Sequence, residues 1–232
     1  MTGVQTCALP IFVAYTEGQG AAKYDDFDVA AVLGVHSGLN SVLARPEIKT
    51  FDDIKGKIIS VDALTSGYAT VLYQILQNKG IMKDRDYKII SVGGTDARLK
   101  SLKENTSQMA IISSPQDLQA QREGYNILAE ASVEVGAYQG SAYAVRKSWA
   151  KAHDKEIMAL TRTIIAAHEW VFANKQAAVD VLKAHVKGMS DMELSALYDR
   201  ITGPGGLNKG AADRKSTRLN SSHIPLSRMP SS

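Results

Sequence analysis

Short apolar segments alternate with longer amphipathic segments along the middle of the chain. Several apolar segments are rich in Ile or Val on both faces, which is typical of strands covered by helices on each side of a sheet. They predict strands at Val13–Tyr15, Val29–Gly34, Ser41–Arg45, Lys57–Val61, Tyr87–Val92, Met109–Ile112, Ile127–Glu130 and Ala142–Arg146. The amphipathic segments predict helices at Gly67–Lys79, Asp96–Glu104, Gln116–Glu123, Lys155–Ala173, Gln176–His185 and Asp191–Ile201. This order of elements favours an α/β fold with a mainly parallel sheet.

Two of the predicted helices carry an apolar stripe at helical spacing. In the first helix, the stripe consists of Val71, Leu72, Ile75 and Leu76, and Gly80 is placed to end the helix. In the long helix, it consists of Ile157, Leu160, Ile164, Ala167, His168 and Val171. We expect both stripes to pack in the core, together with Trp149 and Trp170.

Three predicted strands are each followed by a polar corner that opens a helix. The first corner contains Thr65, Ser66, Gly67 and Tyr68, the second Gly93, Gly94 and Thr95, and the third Ser113 and Ser114. Hydroxyl groups and glycines at a helix N-terminus bring several backbone N–H groups toward one point, which suits a small polar or anionic ligand. Open α/β sheets bind ligands at the carboxyl ends of their strands, so three successive corners predict a binding site.

A purely structural interpretation of these corners stays open, because Ser and Thr cap many helices that bind nothing. The second corner also lacks the lysine and the spacing of a phosphate-binding P-loop. Arg98 lies one turn into the helix that follows this corner, where it is able to pair with a carboxylate or a sulfonate. We nevertheless expect Arg98 to be a solvated arginine.

Two loops supply further candidate ligand contacts. His36 and Ser37 follow a predicted strand, and Tyr138 and Gln139 precede another. Tyr138 is suited to form a wall of a cleft, and Gln139 offers both a donor and an acceptor. A lone histidine in a loop is more often a surface residue than a ligand contact, so His36 is a weaker candidate. Residues 15–17 are weaker still.

Both ends of the chain resemble translated sequencing-adapter DNA. We therefore interpret residues 1–11 and 213–232 as adapter-derived, and the residues between them as a fragment without its natural termini. The chain has 27 basic and 24 acidic side chains, which gives a net charge of +3. The segment 213–232 holds four basic side chains and a single acidic one, so the remainder is neutral. A neutral body gives no support for nucleic-acid binding.

The one cysteine of the sequence, Cys7, lies in the first of these terminal segments. The remainder therefore has neither a disulfide scaffold nor a Cys–His catalytic pair. The sequence also lacks a nucleophile-elbow motif and paired histidines at metal-ligand spacing. No run approaches the roughly 18 apolar residues that are needed to cross a bilayer. We expect a protein that is not an enzyme and that carries no cofactor and no metal.

The segment Arg45–Gly80 reads RPEIKTFDDIKGKIISVDALTSGYATVLYQILQNKG. It resembles periplasmic solute-binding proteins of ABC importers, of the sulfonate, nitrate and taurine type. The resemblance implies a two-lobed type II periplasmic-binding-protein fold, in which each lobe is a mainly parallel sheet flanked by helices. Two crossing strands, Ser41–Arg45 and Ser141–Arg146, would join the lobes. Lobe one would then comprise residues 12–44 and 143–212, and lobe two residues 45–142.

The same resemblance implies a role in solute import. The protein would capture a small polar or anionic solute in the cleft between the lobes and deliver it to an ABC permease and its ATPase. It would be a periplasmic monomer that has lost its signal peptide, contacts the membrane only through the permease and binds no nucleic acid. Two alternatives share this architecture. One is the effector domain of a LysR-type regulator, and the other is a pyrimidine-precursor synthase of thiamin biosynthesis, whose cysteine-rich motif is missing here.

Overall fold

The computed structural model describes residues 4–8, 28–136 and 138–209. The predicted strand Val13–Tyr15, the candidate residues 15–17 and the segment 213–232 lie outside these ranges. The described strands are β1 (Val4–Ala8), β2 (Val29–His36), β3 (Asn40–Ala44), β4 (Lys57–Val61), β5 (Tyr87–Ser91), β6 (Met109–Ser113), β7 (Asn126–Glu130) and β8 (Ser141–Arg146). The described helices are α1 (Gly67–Asn78), α2 (Thr95–Lys103), α3 (Gln116–Arg122), α4 (Ala131–Glu134), α5 (Lys147–Ala150), α6 (Asp154–Ala173), α7 (Lys175–His185) and α8 (Asp191–Thr202).

Every predicted strand and helix within the described ranges is confirmed, with ends that agree to about two residues. Three elements were not predicted, namely the short helices α4 and α5 and the strand β1. β1 falls inside the segment 1–11 that we interpreted as adapter-derived, and it pairs antiparallel with β8.

Five of the described strands form one sheet, in the order β5-β4-β6-β3-β7, which we call the second sheet. β4 is parallel to both β5 and β6. β3 is antiparallel to both β6 and β7. The strands β4, β5, β6 and β7 therefore share one direction and β3 runs the opposite way, so this sheet is mixed rather than uniformly parallel.

The first sheet contains the strands β1, β8 and β2 in that order, and both pairings are antiparallel. The prediction of a mainly parallel sheet is therefore wrong for the described strands of this half. The reason lies in the connections. β2 leads the chain out toward the second sheet and β8 brings it back, so the two strands run in opposite directions, and the end of β2 at His36 is the register partner of Ser141 at the start of β8.

β3 is a fully buried strand of the second sheet, between β6 and β7. The predicted boundary after residue 44 would count it with lobe one. The chain passes from one sheet to the other at residues 37–39, just before this strand. It returns between the end of α4 and the start of β8.

The second sheet has an apolar core on each face. On one face, α1 packs Leu72, Ile75 and Leu76 against β4 and β6, which confirms the predicted stripe. α1 begins at the N-cap Ser66 and is followed by Gly80 with a positive φ, as the sequence indicated. On the other face, α2 and α3 cover a smaller cluster that includes Leu43 and Leu102.

The helix α6 contacts β2 of the first sheet, and α7 contacts both α6 and α8. Ala178, Val179, Leu194 and Tyr198 form a separate buried cluster between α7 and α8. The predicted stripe of α6 is only partly buried, with His168 as its one buried residue. Trp170 is 43% exposed, so its predicted place in the core is wrong.

Candidate functional site

The carboxyl ends of four strands of the second sheet lie at one edge, because β4, β5, β6 and β7 share a direction. The start of β3 lies at the same edge, since β3 runs the opposite way. We call this the carboxyl edge. It brings the three predicted corners close to the chain segments that connect the two sheets.

The first corner follows β4 and begins α1. Ser66 is buried, and its hydroxyl accepts a hydrogen bond from the Ala69 amide at 3.0 Å. The same hydroxyl donates to the carboxylate of Asp62. Ser66 is therefore fully engaged as the N-cap of α1, and Gly67 beside it is also buried. The hydroxyl of Thr65, in contrast, is buried and has no hydrogen-bond partner among the described residues.

The second corner follows β5 and begins α2. Gly94 is the N-cap, so no side chain satisfies the first N–H groups of the helix. Thr95 opens the helix, and its hydroxyl accepts a hydrogen bond from Nη2 of Arg98 at 3.1 Å. Gly93 precedes the cap with a φ of +98°, a backbone conformation that favours glycine.

Arg98 is 2% exposed, so the prediction that it is solvated is wrong. It lies one helical turn after Thr95 and folds back against the end of β4. There Nη1 lies 3.5 Å from Oδ1 of Asp62, an ion pair without hydrogen-bond geometry, and the guanidinium carbon lies 5.8 Å from the centre of the Tyr68 ring. Burial lowers the pKa of Arg98, and the charge of Asp62 and the nearby Tyr68 partly offset this effect.

The Arg98 guanidinium is only partly satisfied. Nη2 donates to Thr95, but neither Nε nor Nη1 has a hydrogen-bond partner among the described residues. A buried charged donor that lacks an acceptor is costly, and native proteins normally pair such groups. The first two corners therefore share a buried cation with capacity to bind an anion.

The third corner follows β6 and begins α3. The hydroxyl of Ser113 donates to Oδ1 of Asn40 at 2.8 Å, and Nδ2 of Asn40 donates to the Tyr138 hydroxyl at 2.9 Å. Ser114 donates its backbone N–H to the Leu39 carbonyl at 3.3 Å. The Ser114 hydroxyl is buried and has no partner among the described residues.

Tyr138 connects this corner to the returning chain. Burial raises its pKa to about 12, while the hydrogen bond from Asn40 acts in the opposite direction and the nearby Tyr68 adds a smaller rise. The ring packs against Gly38, which has a φ of +121° and at which a Cβ atom would collide with the ring. Only glycine fits this point, so the outgoing and returning segments are in close contact here.

The other predicted loop residues shape the crossing between the sheets. Nδ1 of His36 accepts hydrogen bonds from the Gly38 and Leu39 amides at 3.2 and 3.3 Å. Burial lowers the pKa of His36 to about 4, so the imidazole is neutral near pH 7. Ser37 donates to Oδ1 of Asn208 at 2.6 Å. The Gln139 side chain donates to the backbone carbonyl of Ser141.

The three corners and Tyr138 therefore lie together at the carboxyl edge. His36, Ser37 and Gln139 instead make hydrogen bonds within the segments that connect the two sheets. Three residues that line this place were not among the predicted contacts, namely Asp62, Asn40 and Arg98. The position of Arg98 three residues after Thr95 was an available signal, because such residues share a helix face. Nothing in the sequence pattern marked Asn40.

Two concave regions of about 510 and 490 Å³ lie away from the carboxyl edge. The first lies between α7 and α8 and is lined by residues that include Val179 and Asp191, and the second lies beside the start of β4 near Lys57. Neither contains a residue of the three corners. Among the described residues no group of three His, Cys, Asp or Glu side chains is arranged to hold a metal ion. None of the described helices combines the length and apolar character that a bilayer crossing requires.

Residues 6–178 match the sequence profile of the NMT1/THI5-like family. The chain belongs to this family. No curated protein sequence matches the chain.

Solved structures of solute-binding proteins share the fold of this member of the NMT1/THI5-like family. The alkanesulfonate-binding protein SsuA from Xanthomonas axonopodis pv. citri, bound to MOPS, has a TM-score of 0.72 at 17% identity over 89% of this chain and 68% of its own. The periplasmic aliphatic sulphonate binding protein SsuA from Escherichia coli has a TM-score of 0.67 at 17% identity, over 94% and 67% of the two chains. The periplasmic nitrate-binding protein NrtA from Synechocystis PCC 6803 has a TM-score of 0.69 at 13% identity, over 91% and 58%.

These likenesses confirm the two-lobed α/β architecture that the Arg45–Gly80 resemblance implied. The same fold also occurs in an enzyme, because the desulfurization enzyme DSZB matches with a TM-score of 0.60 at 12% identity, over 94% and 76% of the two chains. The fold alone therefore leaves the choice between binding and catalysis to the residues of the site.

Proposed function

We propose that this chain is the extracytoplasmic solute-binding component of an ABC importer. It captures a small anionic solute at the carboxyl edge and delivers it to a permease and its ATPase. It acts as a monomer in the periplasm and contacts the membrane only through the permease. No cofactor, metal or nucleic acid takes part.

The observation that carries this proposal is the distribution of unsatisfied buried polar groups. Among the described residues, six buried side-chain polar atoms have no hydrogen-bond partner. Four of them belong to the three corners, namely Thr65 Oγ1, Arg98 Nε, Arg98 Nη1 and Ser114 Oγ. Two hydroxyls and two nitrogens of a buried guanidinium, all four without a partner, suit a ligand that carries several acceptor oxygens and a negative charge.

The chemistry of Arg98 narrows the ligand class. A guanidinium is a planar fork of donors that matches the oxygens of a carboxylate, sulfonate or nitrate. An uncharged heterocycle would leave the buried cation without compensation beyond the 3.5 Å pair with Asp62. We therefore favour an oxyanion over an uncharged solute.

The two-sheet arrangement supports capture by closure. We propose that residues 40–136 form one lobe and that residues 28–36 and 141–209 form the other. The crossing segments lie beside the site, since Tyr138 of the returning segment bonds at 2.9 Å to Asn40, which directly follows the outgoing segment. Rotation about these segments would close the lobe of residues 28–36 and 141–209 over the corners and exclude water from the ligand.

The neighbouring structures support the importer role and the location. They include an alkanesulfonate-binding protein, a nitrate-binding protein and a ligand-binding component of an ABC-type import system from Staphylococcus aureus. The ligands named for the first two are anions, which agrees with the buried Arg98. The neighbours described as periplasmic support the same compartment for this chain.

Thermal unfolding in the presence of defined solutes tests the proposal. The panel contains ethanesulfonate, MOPS, nitrate and benzoate as anions, with uracil as the uncharged control. A ligand at about 100 times its Kd stabilises the folded state by about 2.7 kcal/mol, which raises Tm by several degrees. We expect at least one anion to do so and uracil to have no effect. A flat Tm across all anions would overturn the proposal.

Arg98→Gln then tests the assigned anchor by calorimetry with the anion found. Loss of a charge-assisted hydrogen bond of about 1.5–3 kcal/mol weakens binding roughly 10- to 100-fold. Arg85→Gln is the matched control, because Arg85 is 63% exposed and its partners among the described residues are the adjacent Asp86 and the Gly80 carbonyl. An anion that binds both variants equally well would remove Arg98 from the site.

The proposal includes no covalent step, although DSZB shares the fold. The groups at the corners are hydroxyls, amides and a guanidinium, with one carboxylate at Asp62 that is already paired. Incubation with the bound anion followed by mass spectrometry decides this point. Recovery of the intact anion supports a binding protein, and release of a fragment such as sulfite from a sulfonate would indicate an enzyme.

A further inference from the structure

A second buried ion pair joins α8 to the second sheet. Asp117, in the first turn of α3, is fully buried, and its Oδ2 lies 3.0 Å from Nη2 of Arg200 on α8. Ser41 on β3 completes the group. It accepts from Nη2 of Arg200 at 2.6 Å and donates to Oδ2 of Asp117 at 2.6 Å. In the sequence, Asp117 precedes Arg200 by 83 positions and Ser41 precedes it by 159.

Arg200 also reaches the far edge of the sheet. Its Nη1 donates to Oε1 of Glu130 at the end of β7, at 2.8 Å. A single side chain therefore fastens α8 to three elements of the second sheet, namely β3, α3 and β7. A buried carboxylate that loses its cation is strongly unfavourable, so α8 cannot leave Asp117 without a large loss of free energy.

A few residues further on, the same chain is fastened to the first sheet. Asn208 donates its backbone N–H to the Val35 carbonyl at 3.0 Å, and Ser37 donates to the Gly206 carbonyl at 3.1 Å. Leu207 and His36 form a β-bridge. The segment 206–208 therefore pairs with the end of β2 in the first sheet, whereas Arg200 bonds to Ser41 of β3 in the second sheet.

The residues between these two attachments are Gly203, Pro204, Gly205 and Gly206. Gly205 has a φ of +78°, and a Cβ atom there would collide with the Ser132 hydroxyl of α4. The segment thus passes directly over α4, which packs on the second sheet, on its way to β2. This close passage requires glycine.

We infer that residues 203–206 form a third connection between the two sheets and that Arg200 is its anchor on the second sheet. Among the described residues, this segment is a link between the lobes in addition to residues 37–39 and the segment between α4 and β8. Any rotation of one sheet against the other has to bend the Gly203–Gly206 segment or detach Arg200 from Asp117. This inference concerns the protein without ligand and does not depend on the proposed function.

Hydrogen exchange at single amides tests the anchor, with Arg200→Met as the variant. The amides of Leu207 and Asn208 donate to the Ile201 and Val35 carbonyls, and they report on the third connection. We expect both amides to exchange at least about 10-fold faster in the variant, because the segment opens locally once α8 is released. The amides of β4 and β5 serve as the internal reference and should keep their wild-type rates.

Arg122→Met is the matched control. Arg122 also links α3 to α8, through Glu193 at 3.0 Å, but its side chain is 50% exposed. Exposed pairs of this kind contribute little to stability. In the Arg122→Met variant, the amides of Leu207 and Asn208 should therefore exchange as in the unmodified protein.

Two results would overturn the inference. Unchanged exchange at Leu207 and Asn208 would mean that Arg200 anchors nothing, and an equal increase at β4 and β5 would mean that it only stabilises the whole fold. If Arg200→Met does not fold, Arg200→Lys takes its place, since it keeps a cation beside the buried Asp117 but loses the guanidinium fork that also reaches Ser41 and Glu130. It should raise the exchange of the same two amides, and wild-type rates there would count against the anchor.

Discussion

Asn40 and Ser113 are register partners in the neighbouring antiparallel strands β3 and β6, and their side chains are joined by a hydrogen bond of 2.8 Å. Asn40 is the first residue of the strand that enters the second sheet, and Ser113 is the last residue of a strand that ends at the candidate site. The same Asn40 holds the Tyr138 hydroxyl. One buried amide therefore ties the site to both the outgoing and the returning chain.

Asn40→Leu is expected to lower the free energy of unfolding by about 1–3 kcal/mol, because it leaves the hydroxyls of Ser113 and Tyr138 without their partner. Urea unfolding measures the change. Asn78→Leu is the control, since Asn78 is exposed on α1 and its side chain accepts a hydrogen bond from Gln74, one turn away. Equal stability of the Asn40 variant and the unmodified protein would show that the bridge contributes nothing.

Thr65 and Ser66 are adjacent hydroxyl residues with different expected roles. Ser66→Ala removes the N-cap of α1 and should lower stability by about 1 kcal/mol. Thr65→Val removes a buried hydroxyl that has no partner, so it should leave stability unchanged or slightly higher. If Thr65 contacts the anion, the Val variant should bind it several-fold more weakly, and calorimetry at matched temperatures separates the two effects. A Val variant with full affinity would remove Thr65 from the site.

Leu72→Ala tests whether the α1 face of the second sheet is the main core. Leu72 is fully buried in the largest apolar cluster, and truncation of such a residue costs about 2–5 kcal/mol. Leu64 is 46% exposed at the first corner, so Leu64→Ala should change stability by less than about 0.5 kcal/mol. Chemical denaturation of both variants makes the comparison, and similar losses for the two would contradict this assignment of the core.

His36 should make stability depend on pH. Burial lowers its pKa from 6.5 to about 4, so the folded state favours the neutral imidazole that accepts from Gly38 and Leu39. Its contribution is fully present above pH 6.5 and is lost as the pH falls toward 4. Integration over the interval predicts a loss of about 2 kcal/mol between pH 7.5 and 5.0.

His36→Gln removes this titration and serves as its own comparison. The difference in unfolding free energy between the two proteins should shrink by about 2 kcal/mol as the pH falls from 7.5 to 5.0. Carboxylates that titrate in this range do so in both proteins and cancel in the difference. A difference that stays constant with pH would mean that His36 is not the group responsible.

The sequence was sufficient for features that depend on neighbouring residues. α1 is an example, because Ser66, the stripe through Leu72 and Gly80 lie within 15 residues and each has a local physical cause. The three corners were also predictable, since each combines a strand end with a helix start. Their common location followed once the shared direction of the strands was known.

Features that depend on distant pairing were not predictable from the pattern. β3 has the composition of any buried strand, and only its pairing with β6 and β7 assigns it to the second sheet. Arg98 has the appearance of a surface residue on a polar helix, and its burial depends on how α2 packs against β4. The Arg200 cluster joins residues from three separate parts of the chain, which no local periodicity reveals.

The central place of β3 has a practical consequence for dissecting this protein. A fragment that begins at Arg45 would lack β3, the strand between β6 and β7, and would leave the amides and carbonyls that face it on both neighbours unsatisfied. An autonomous piece has to start upstream of Asn40, so that the strand on which its neighbours assemble is included.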